Sequence, residues 1–133
     1  MSWQTTRLVE FSHCDPAGIV FYPRYFEMIN SVVEEYFAKH VEYAFAPMHF
    51  EDDRGVPTGE ISVRFSNPSR LGEVLNFTFD IKRIGTSSLG VEVTCSGNGQ
   101  TKFICQLTLV RMILSSGKSD PWPQFILQKF KNT

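Results

Sequence analysis

The 133-residue chain is long enough for one domain with its own core, and its 42% hydrophobic and 20% charged residues exclude a disordered or fibrous protein. Thirteen basic and fourteen acidic residues leave a formal charge of −1, too balanced for nucleic-acid binding. No apolar run approaches the roughly 18 residues of a membrane span, and the first residues lack a signal-peptide layout. We therefore expect a cytoplasmic protein without nucleic-acid or membrane partners.

The three cysteines, Cys14, Cys95 and Cys105, are odd in number and lack CxxC spacing. That pattern argues against a disulfide framework and against a zinc site, so we expect reduced thiols. His40 and His49 show no ligand-type spacing with an acid or a cysteine. The sequence therefore predicts no metal site.

The N-terminal part of the chain is predicted to hold one strand and one long helix. Residues 4–12 indicate a modest strand that leads into a turn at Asp15. A helix over residues 23–39 is indicated by apolar residues at helical spacing and by Pro23, whose missing N–H suits the first helical position. The predicted buried stripe consists of Phe26, Ile29, Val33 and Phe37. Asn30 falls inside this stripe, where a buried amide needs either backbone partners or a bound ligand.

The remainder of the chain is predicted to be mostly strands. Residues 41–48 are expected to add a helical turn or two, and residues 51–55 a charged surface loop. Beyond Pro57 the apolar period changes to two, and four alternating runs with short connections predict an antiparallel meander. The runs span residues 61–65, 75–81, 89–95 and 103–109. Residues 121–131 indicate a short closing helix.

A helix with one apolar stripe and a sheet with one apolar face can bury both surfaces only against each other. The sequence therefore predicts a two-layer α+β fold in a single domain over residues 1–133. The twelve Phe residues could build a dense core or a pocket for an apolar acyl group, and we expect most of them in the core.

The most informative segment is residues 11–26, Phe-Ser-His-Cys-Asp-Pro-Ala-Gly-Ile-Val-Phe-Tyr-Pro-Arg-Tyr-Phe. It places the Asp15 carboxylate in a tight turn just ahead of the predicted helix. An Asp before Pro is commonly only a turn residue. A carboxylate can also act as a base or nucleophile on a carbonyl, and backbone N–H groups around residues 22–25 are expected to be free for a developing oxyanion. Tyr22 is not a standard side-chain cap and does not compete for them.

The Asp-Pro-Ala-Gly-Ile-Val turn, followed by an aromatic residue, Tyr-Pro and a helix, closely resembles the motif of the 4-hydroxybenzoyl-CoA thioesterase family of hotdog-fold proteins. Residues 65–73 and 84–88 look like later signatures of that family. The resemblance implies an antiparallel sheet wrapped around one long central helix. It also implies a thioesterase acting on an aromatic, 4-hydroxybenzoyl-CoA-like, or medium-chain acyl-CoA. No cofactor is implied beyond the coenzyme A of the substrate.

The resemblance also implies roles for individual residues. Asp15 matches the essential acid of the family, as a nucleophile or as a general base, and the Tyr22 amide matches the group that polarises the thioester carbonyl. Pro23, Phe26 and Asn30 are the predicted acyl-binding residues, and 4-hydroxybenzoyl members carry Asp at the position of Asn30.

The turn at residues 82–88, which follows the predicted strand at residues 75–81, resembles the region where family members meet the nucleotide arm of coenzyme A. The predicted CoA-binding residues there are Lys82, Arg83, Ser87 and Ser88. Arg83 is favoured over Lys82, because a guanidinium offers a fork of donors to phosphate. Since hotdog proteins pair their sheets edge to edge, a homodimer or homotetramer is expected.

Other functions fit the same fold. One alternative is a module that binds an acyl thioester without turning it over, and another is a thioesterase for acyl groups held on a carrier protein. A hydratase would need a His paired with its acid. His13 lies two residues before Asp15, but the two side chains share a face only if the strand continues that far.

Overall fold

The computed structural model describes residues 2–133 of the chain. These residues form eight strands and three α-helices. The strands are β1 (Ser2–Leu8), β2 (Arg54–Gly55), β3 (Thr58–Phe65), β4 (Val74–Ile84), β5 (Ser88–Gly97), β6 (Gln100–Val110), β7 (Met112–Ile113) and β8 (Lys118–Ser119). The helices are α1 (Pro23–Tyr36), α2 (Phe45–Phe50) and α3 (Gln124–Lys131).

The main sheet has five antiparallel strands in the order β1-β4-β5-β6-β3. The predicted four-strand meander is confirmed for β4, β5 and β6 and is wrong for β3, which pairs with β6 instead of β4. The reason lies in residues 66–73, which do not form a tight hairpin. Their backbone bonds to residues 18–20, so the chain crosses to the far side of the sheet before β4 begins. β1 then fills the place beside β4.

Helix α1 packs on the inner face of this sheet, as the two-layer prediction requires. Its buried residues, at i, i+3 and i+4 spacing, are Tyr25, Met28, Ile29, Val32, Val33 and Tyr36. Ile29, Val33 and Phe37 are buried as predicted, whereas Phe26 is only half-buried. Asn30 is exposed, so its predicted place inside the buried stripe is wrong. The apolar stripe passes along the other flank of the helix and leaves Asn30 outside it.

Strong period-two patterning decides which side of the sheet is buried. The inward side chains of β4, β5 and β6 are Leu75, Phe77, Phe79, Leu89, Val91, Val93, Cys95, Phe103, Cys105, Leu107 and Leu109. Ring packing continues from the sheet to the helix, since the Tyr36 and Phe79 rings stack with centroids 4.0 Å apart. The predicted α+β fold is thereby confirmed.

The first strand and the long helix end at slightly different residues from those predicted. β1 ends at Leu8 and not at residue 12, because Glu10 caps a 3₁₀ turn over Phe11–His13. Helix α1 continues beyond Tyr36 as a π-helical turn over Phe37–Val41, close to the predicted end at residue 39.

The smaller elements close the fold at one end of the sheet. Strands β2, β7 and β8 form a second sheet, so part of the predicted charged loop is a short strand. The expected extra helical turn is α2, and the closing helix is α3, which buries Ile126 and Phe130. Within residues 2–133, no helix combines the length and the hydropathy needed to cross a membrane.

Candidate active site

The Asp15 turn is a small hairpin whose shape follows from its local sequence. Cys14 and Val20 pair as an antiparallel bridge, and the Asp15 N–H donates to the Ile19 carbonyl at 2.9 Å. At the tip the Gly18 N–H donates to the Asp15 carbonyl at 3.0 Å. Gly18 has φ +78°, a conformation that favours glycine, which explains glycine at this position of the motif.

The Asp15 carboxylate is half-buried and faces mostly apolar surroundings. Its Oδ1 accepts the Ala17 N–H at 2.9 Å, which fixes the side chain on the turn. Its Oδ2 accepts no hydrogen bond from any of residues 2–133. The residues lining the adjacent cavity of about 400 Å³ are Phe11, Cys14, Asp15, Pro16, Gly18 and Leu71. One carboxylate oxygen is therefore available to a ligand in that cavity.

The N-terminus of α1 offers fewer free amides than expected. The Arg24 N–H donates to the Phe21 carbonyl at 2.9 Å, and the Tyr25 N–H donates to the Tyr22 carbonyl at 3.1 Å. Pro23 has no N–H. The Tyr22 N–H has no acceptor among residues 2–133, and no side chain caps the helix. The expectation of free amides over residues 22–25 is thus wrong for Arg24 and Tyr25 and leaves Tyr22 as the available donor.

The Tyr22 side chain is 61% exposed and lies at a second cavity of about 280 Å³. That cavity is lined by Val20, Tyr22, Tyr25, Phe65, Ser66, Asn67 and Pro68. Within one chain, Asp15 and the Tyr22 ring therefore line different concave surfaces, with the second arm of the hairpin between them.

The three predicted acyl-binding residues line neither of these two cavities. Phe26 packs against Phe65 with ring centroids 6.5 Å apart, and Asn30 follows one turn later on the exposed flank of α1. Pro23 occupies the first position of the helix, as expected. Together they form the flank of α1 that faces away from the buried stripe.

The structure brings three of the four predicted CoA-binding residues together. Lys82 and Arg83 line a cavity of about 220 Å³ on the outer face of the sheet, and Arg83 Nη1 donates to Ser88 Oγ at 3.2 Å. The Arg83 stem lies over Gly90, where an added Cβ would approach the Arg83 Cβ to 3.3 Å. Ser87 contributes differently, since its carbonyl accepts the Arg111 N–H.

Lys82 is a less available cation than Arg83. Its Nζ lies 2.8 Å from Asp80 Oδ2 and 3.8 Å from Glu92 Oε2. The hydrogen bond to Asp80 raises the pKa of Lys82, so the side chain stays charged while its charge is already balanced by carboxylates. A phosphate would therefore meet mainly the Arg83 guanidinium.

The residues nearest Asp15 in sequence are engaged elsewhere. His13 Nδ1 accepts the Glu10 N–H at 2.9 Å, and Cys14 Sγ lies 3.6 Å from the Glu10 carbonyl oxygen. Burial raises the pKa of Cys95 to about 12 and that of Cys105 to about 11, which keeps both thiols protonated. Among residues 2–133, no group of three or more His, Cys, Asp or Glu side chains could hold a metal ion.

Sequence patterns did not reveal the support behind the hairpin, which is provided by residues 66–73. The Val20 N–H donates to the Ser69 carbonyl at 2.9 Å, and the Leu71 N–H donates to the Gly18 carbonyl at 3.0 Å. Lys102, only 2% exposed, donates through Nζ to the Pro68 carbonyl at 3.0 Å. The available signal was a lysine at the start of an otherwise apolar-alternating strand.

The five-stranded antiparallel sheet packed on one long helix, with a carboxylate turn just ahead of that helix, defines a hotdog-fold protein. A scan against family models matches the thioesterase-like superfamily over residues 9–130. The chain belongs to this superfamily, and the expected class of enzyme, a thioester hydrolase, is confirmed at the family level. A search of curated proteins found no match.

Solved structures show the same fold at low sequence identity. A 1,4-dihydroxy-2-naphthoyl-CoA thioesterase from Synechocystis has 19% identity and a TM-score of 0.89, with 99% of this chain and 97% of that chain covered. The 4-hydroxybenzoyl CoA thioesterase from Pseudomonas sp. strain CBS-3 has 21% identity and a TM-score of 0.88, with 96% and 98% covered. A hypothetical protein from Staphylococcus aureus in complex with CoA has 16% identity and a TM-score of 0.89, with 100% and 86% covered.

Proposed function

We propose that this protein hydrolyses an aromatic, 4-hydroxybenzoyl-CoA-like, or medium-chain acyl-CoA, with Asp15 as the catalytic carboxylate. The observation that carries the proposal is the Asp15 Oδ2, which has no partner among residues 2–133 and belongs to a carboxylate lining an apolar cavity. Support comes from the superfamily and from neighbours whose names include thioesterases for aromatic CoA esters. The proposal takes residues 1–133 as one catalytic domain in the cytoplasm that uses no separate cofactor or metal.

Two routes are open to Asp15. As a nucleophile it attacks the thioester carbonyl, releases the thiolate of coenzyme A and leaves a mixed anhydride that water opens. As a general base it removes a proton from a water molecule that attacks the same carbonyl directly. In both routes the carbonyl oxygen gains negative charge, and the free Tyr22 N–H at the start of α1 is the proposed donor that stabilises it.

The acyl group is proposed to lie along the exposed flank of α1 at an interface between two copies of the chain. Pro23, Phe26 and Asn30 occupy that flank. Strands β1 and β3 are the two edges of the sheet, and the inward residues Ile61 and Phe65 of β3 are 38% and 44% exposed. An open edge with exposed apolar residues favours pairing with another sheet. A homodimer, or a homotetramer of such dimers, would cover this surface.

Placing a charge on this surface should prevent assembly. We expect Ile61→Lys to shift the protein toward monomer in sedimentation velocity and to lose most thioesterase activity, because desolvating an unpaired ammonium at an interface is costly. Phe50→Lys is the matched control, since Phe50 is an 89% exposed apolar side chain on α2. A wild-type monomer that is fully active would contradict a shared acyl site.

Arg83 is proposed to bind a phosphate of coenzyme A, assisted by Lys82, Ser87 and Ser88. Arg83→Gln removes a charge-assisted hydrogen bond, so we expect KM for an acyl-CoA to rise by about tenfold or more. KM for the matching acyl-pantetheine, which lacks the nucleotide, should not change. Lys131→Gln, an exposed cation on α3, serves as the control. Equal effects on both substrates would remove Arg83 from the nucleotide site.

The experiment that tests the proposed function is thiol release from a panel of CoA esters. The panel comprises benzoyl, 4-hydroxybenzoyl, phenylacetyl and short to long aliphatic thioesters, each also offered on a phosphopantetheinylated carrier protein. Turnover of CoA esters well above the uncatalysed rate would support the proposal, and the order of kcat/KM would describe the acyl pocket. Turnover of carrier-bound esters alone would assign the second alternative. Binding without turnover would assign a non-catalytic module.

A further inference from the structure

Ser69 contacts both halves of the proposed catalytic site. Its carbonyl accepts the N–H of Val20, which lies on the second arm of the Asp15 hairpin, at 2.9 Å. Its hydroxyl oxygen accepts the hydroxyl proton of Tyr25 at 2.8 Å. Tyr25 belongs to the first turn of α1, three residues after Tyr22. One fully buried serine therefore links the hairpin that carries the carboxylate to the helix turn that carries the free amide.

The Tyr25 side chain is held rigidly by its surroundings, so it can fix the first turn of α1 against the hairpin. It is 4% exposed, and its ring packs 5.0 Å from Phe103 and 5.7 Å from Phe65, measured between centroids. Burial raises the pKa of the Tyr25 hydroxyl above its ordinary value of 10.0, against the opposing effect of the Ser69 hydrogen bond. The hydroxyl consequently stays protonated in any ordinary assay buffer and remains a donor to Ser69.

The covalent connection between hairpin and helix is less constrained. It consists of Phe21 and Tyr22, whose side chains are 49% and 61% exposed. The Phe21 N–H is bonded to the His13 carbonyl, but the Tyr22 N–H has no acceptor within residues 2–133. The direction of the Tyr22 N–H therefore depends on how the first turn of α1 is held against the hairpin.

We infer that Ser69 and Tyr25 are positioning residues that set the Tyr22 amide relative to the Asp15 carboxylate through their buried hydrogen bond. The inference rests on the proposed function, because the role assigned to Ser69 and Tyr25 is only to align the two proposed catalytic groups. Neither hydroxyl touches the substrate. Both act by fixing the distance and angle between a base or nucleophile and an oxyanion donor.

The test compares Tyr25→Phe, Ser69→Ala and the double variant on the best substrate of the CoA-ester panel. Misplacement of a catalytic group by about 1 Å can cost about a hundredfold in rate. For each single variant we expect kcat to fall by about tenfold or more, with KM changed by less than about twofold. Because the two hydroxyls form one link, the double variant should lose no more kcat than either single variant.

Tyr36→Phe is the matched control. Tyr36 is a fully buried tyrosine further along the same helix, and its hydroxyl hydrogen-bonds Thr133 Oγ1 at 2.7 Å. Its loss should lower the melting temperature about as much as Tyr25→Phe while leaving kcat unchanged. If Tyr25→Phe and Ser69→Ala, shown to be folded by near-ultraviolet circular dichroism, also keep wild-type kcat, the positioning role is wrong. Should Tyr25→Phe not fold, Ser69→Ala alone decides, since its smaller side chain fits the same space.

Failure of this inference is separable from failure of the proposed function. If Asp15→Asn lowers kcat and Tyr25→Phe does not, only the positioning role is overturned. If Asp15→Asn keeps wild-type kcat, Asp15 is not the catalytic carboxylate and both are overturned. In the Asp15→Asn background, Tyr25→Phe should reduce the residual rate by less than about twofold, because the carboxylate to be aligned is absent. A full tenfold further loss in that background would contradict the inference.

Discussion

Replacing Asp15 by asparagine is expected to lower kcat for thioester hydrolysis by about 10² to 10⁴, the range that a positioned acid or base contributes. The amide cannot accept a proton from water or attack the carbonyl carbon. It retains an oxygen for the Ala17 N–H that Asp15 Oδ1 accepts at 2.9 Å, so the turn should keep its shape. Binding of a CoA ester, measured by calorimetry on the variant, should stay within about threefold of wild type because little ground-state binding is removed.

The control for this variant is Asp53→Asn. Asp53 is also half-buried and accepts a backbone N–H, that of Ser115, at 3.1 Å. Its φ of +54° is one that Asn tolerates well. Asp53→Asn should therefore fold and turn over normally. Wild-type kcat in Asp15→Asn, with the panel substrates turned over by the native chain, would show that another group performs the chemistry.

Sequence patterning predicted the two layers because both depend on short-range periodicity. The helix period of 3.6 and the strand period of two each assign one face to the core, and in this chain the apolar residues of α1, β4, β5 and β6 follow those periods closely. The place of β3 could not be predicted in the same way. Its pairing with β6 depends on where residues 66–73 are anchored, and these contacts are made by residues distant in sequence.

The candidate site shows the same division. The turn that carries Asp15, and its position just ahead of the helix, were predictable because Pro16, Ala17 and Gly18 define a local conformation and a family motif. Asn30 was misplaced because the predicted stripe began at Phe26, whereas the buried face of the helix runs through Tyr25, Met28 and Val32 on the other flank. The Ser69–Tyr25 hydrogen bond spans 44 positions, and no local pattern signals such a pair.

The buried ion pair between Lys102 and Glu73 is the interaction whose loss should destabilise the fold most. Lys102 Nζ lies 3.0 Å from Glu73 Oε1, and the two side chains are 2% and 16% exposed. Lys102→Met leaves a poorly solvated carboxylate and an unpaired Pro68 carbonyl, so the free energy of unfolding should fall by about 3–5 kcal/mol. Lys39→Met is the control, since Lys39 is 71% exposed in its pair with Glu35 and should cost about 0–1 kcal/mol. Urea unfolding monitored by circular dichroism measures both.

Two measurements distinguish loss of the Lys102–Glu73 ion pair from a change in packing. One is the pH dependence of the free energy of unfolding, and the other is a second substitution at Glu73. The backbone N–H of Arg70, together with Lys102 and against the effect of burial, holds the pKa of Glu73 below its ordinary value of 4.5. The stability that ionised Glu73 contributes is therefore complete above that value and is lost as the pH falls through the lower folded pKa. The difference in free energy of unfolding between wild type and Lys102→Met should narrow on acidification below pH 4.5.

Adding Glu73→Gln to Lys102→Met should restore part of the stability at neutral pH, because it removes the uncompensated charge. The outcome that contradicts the charge effect is a stability difference that stays constant with pH, together with a double variant no more stable than Lys102→Met. Lys102 would then contribute only packing, and the support of the Asp15 hairpin by residues 66–73 would not depend on its charge.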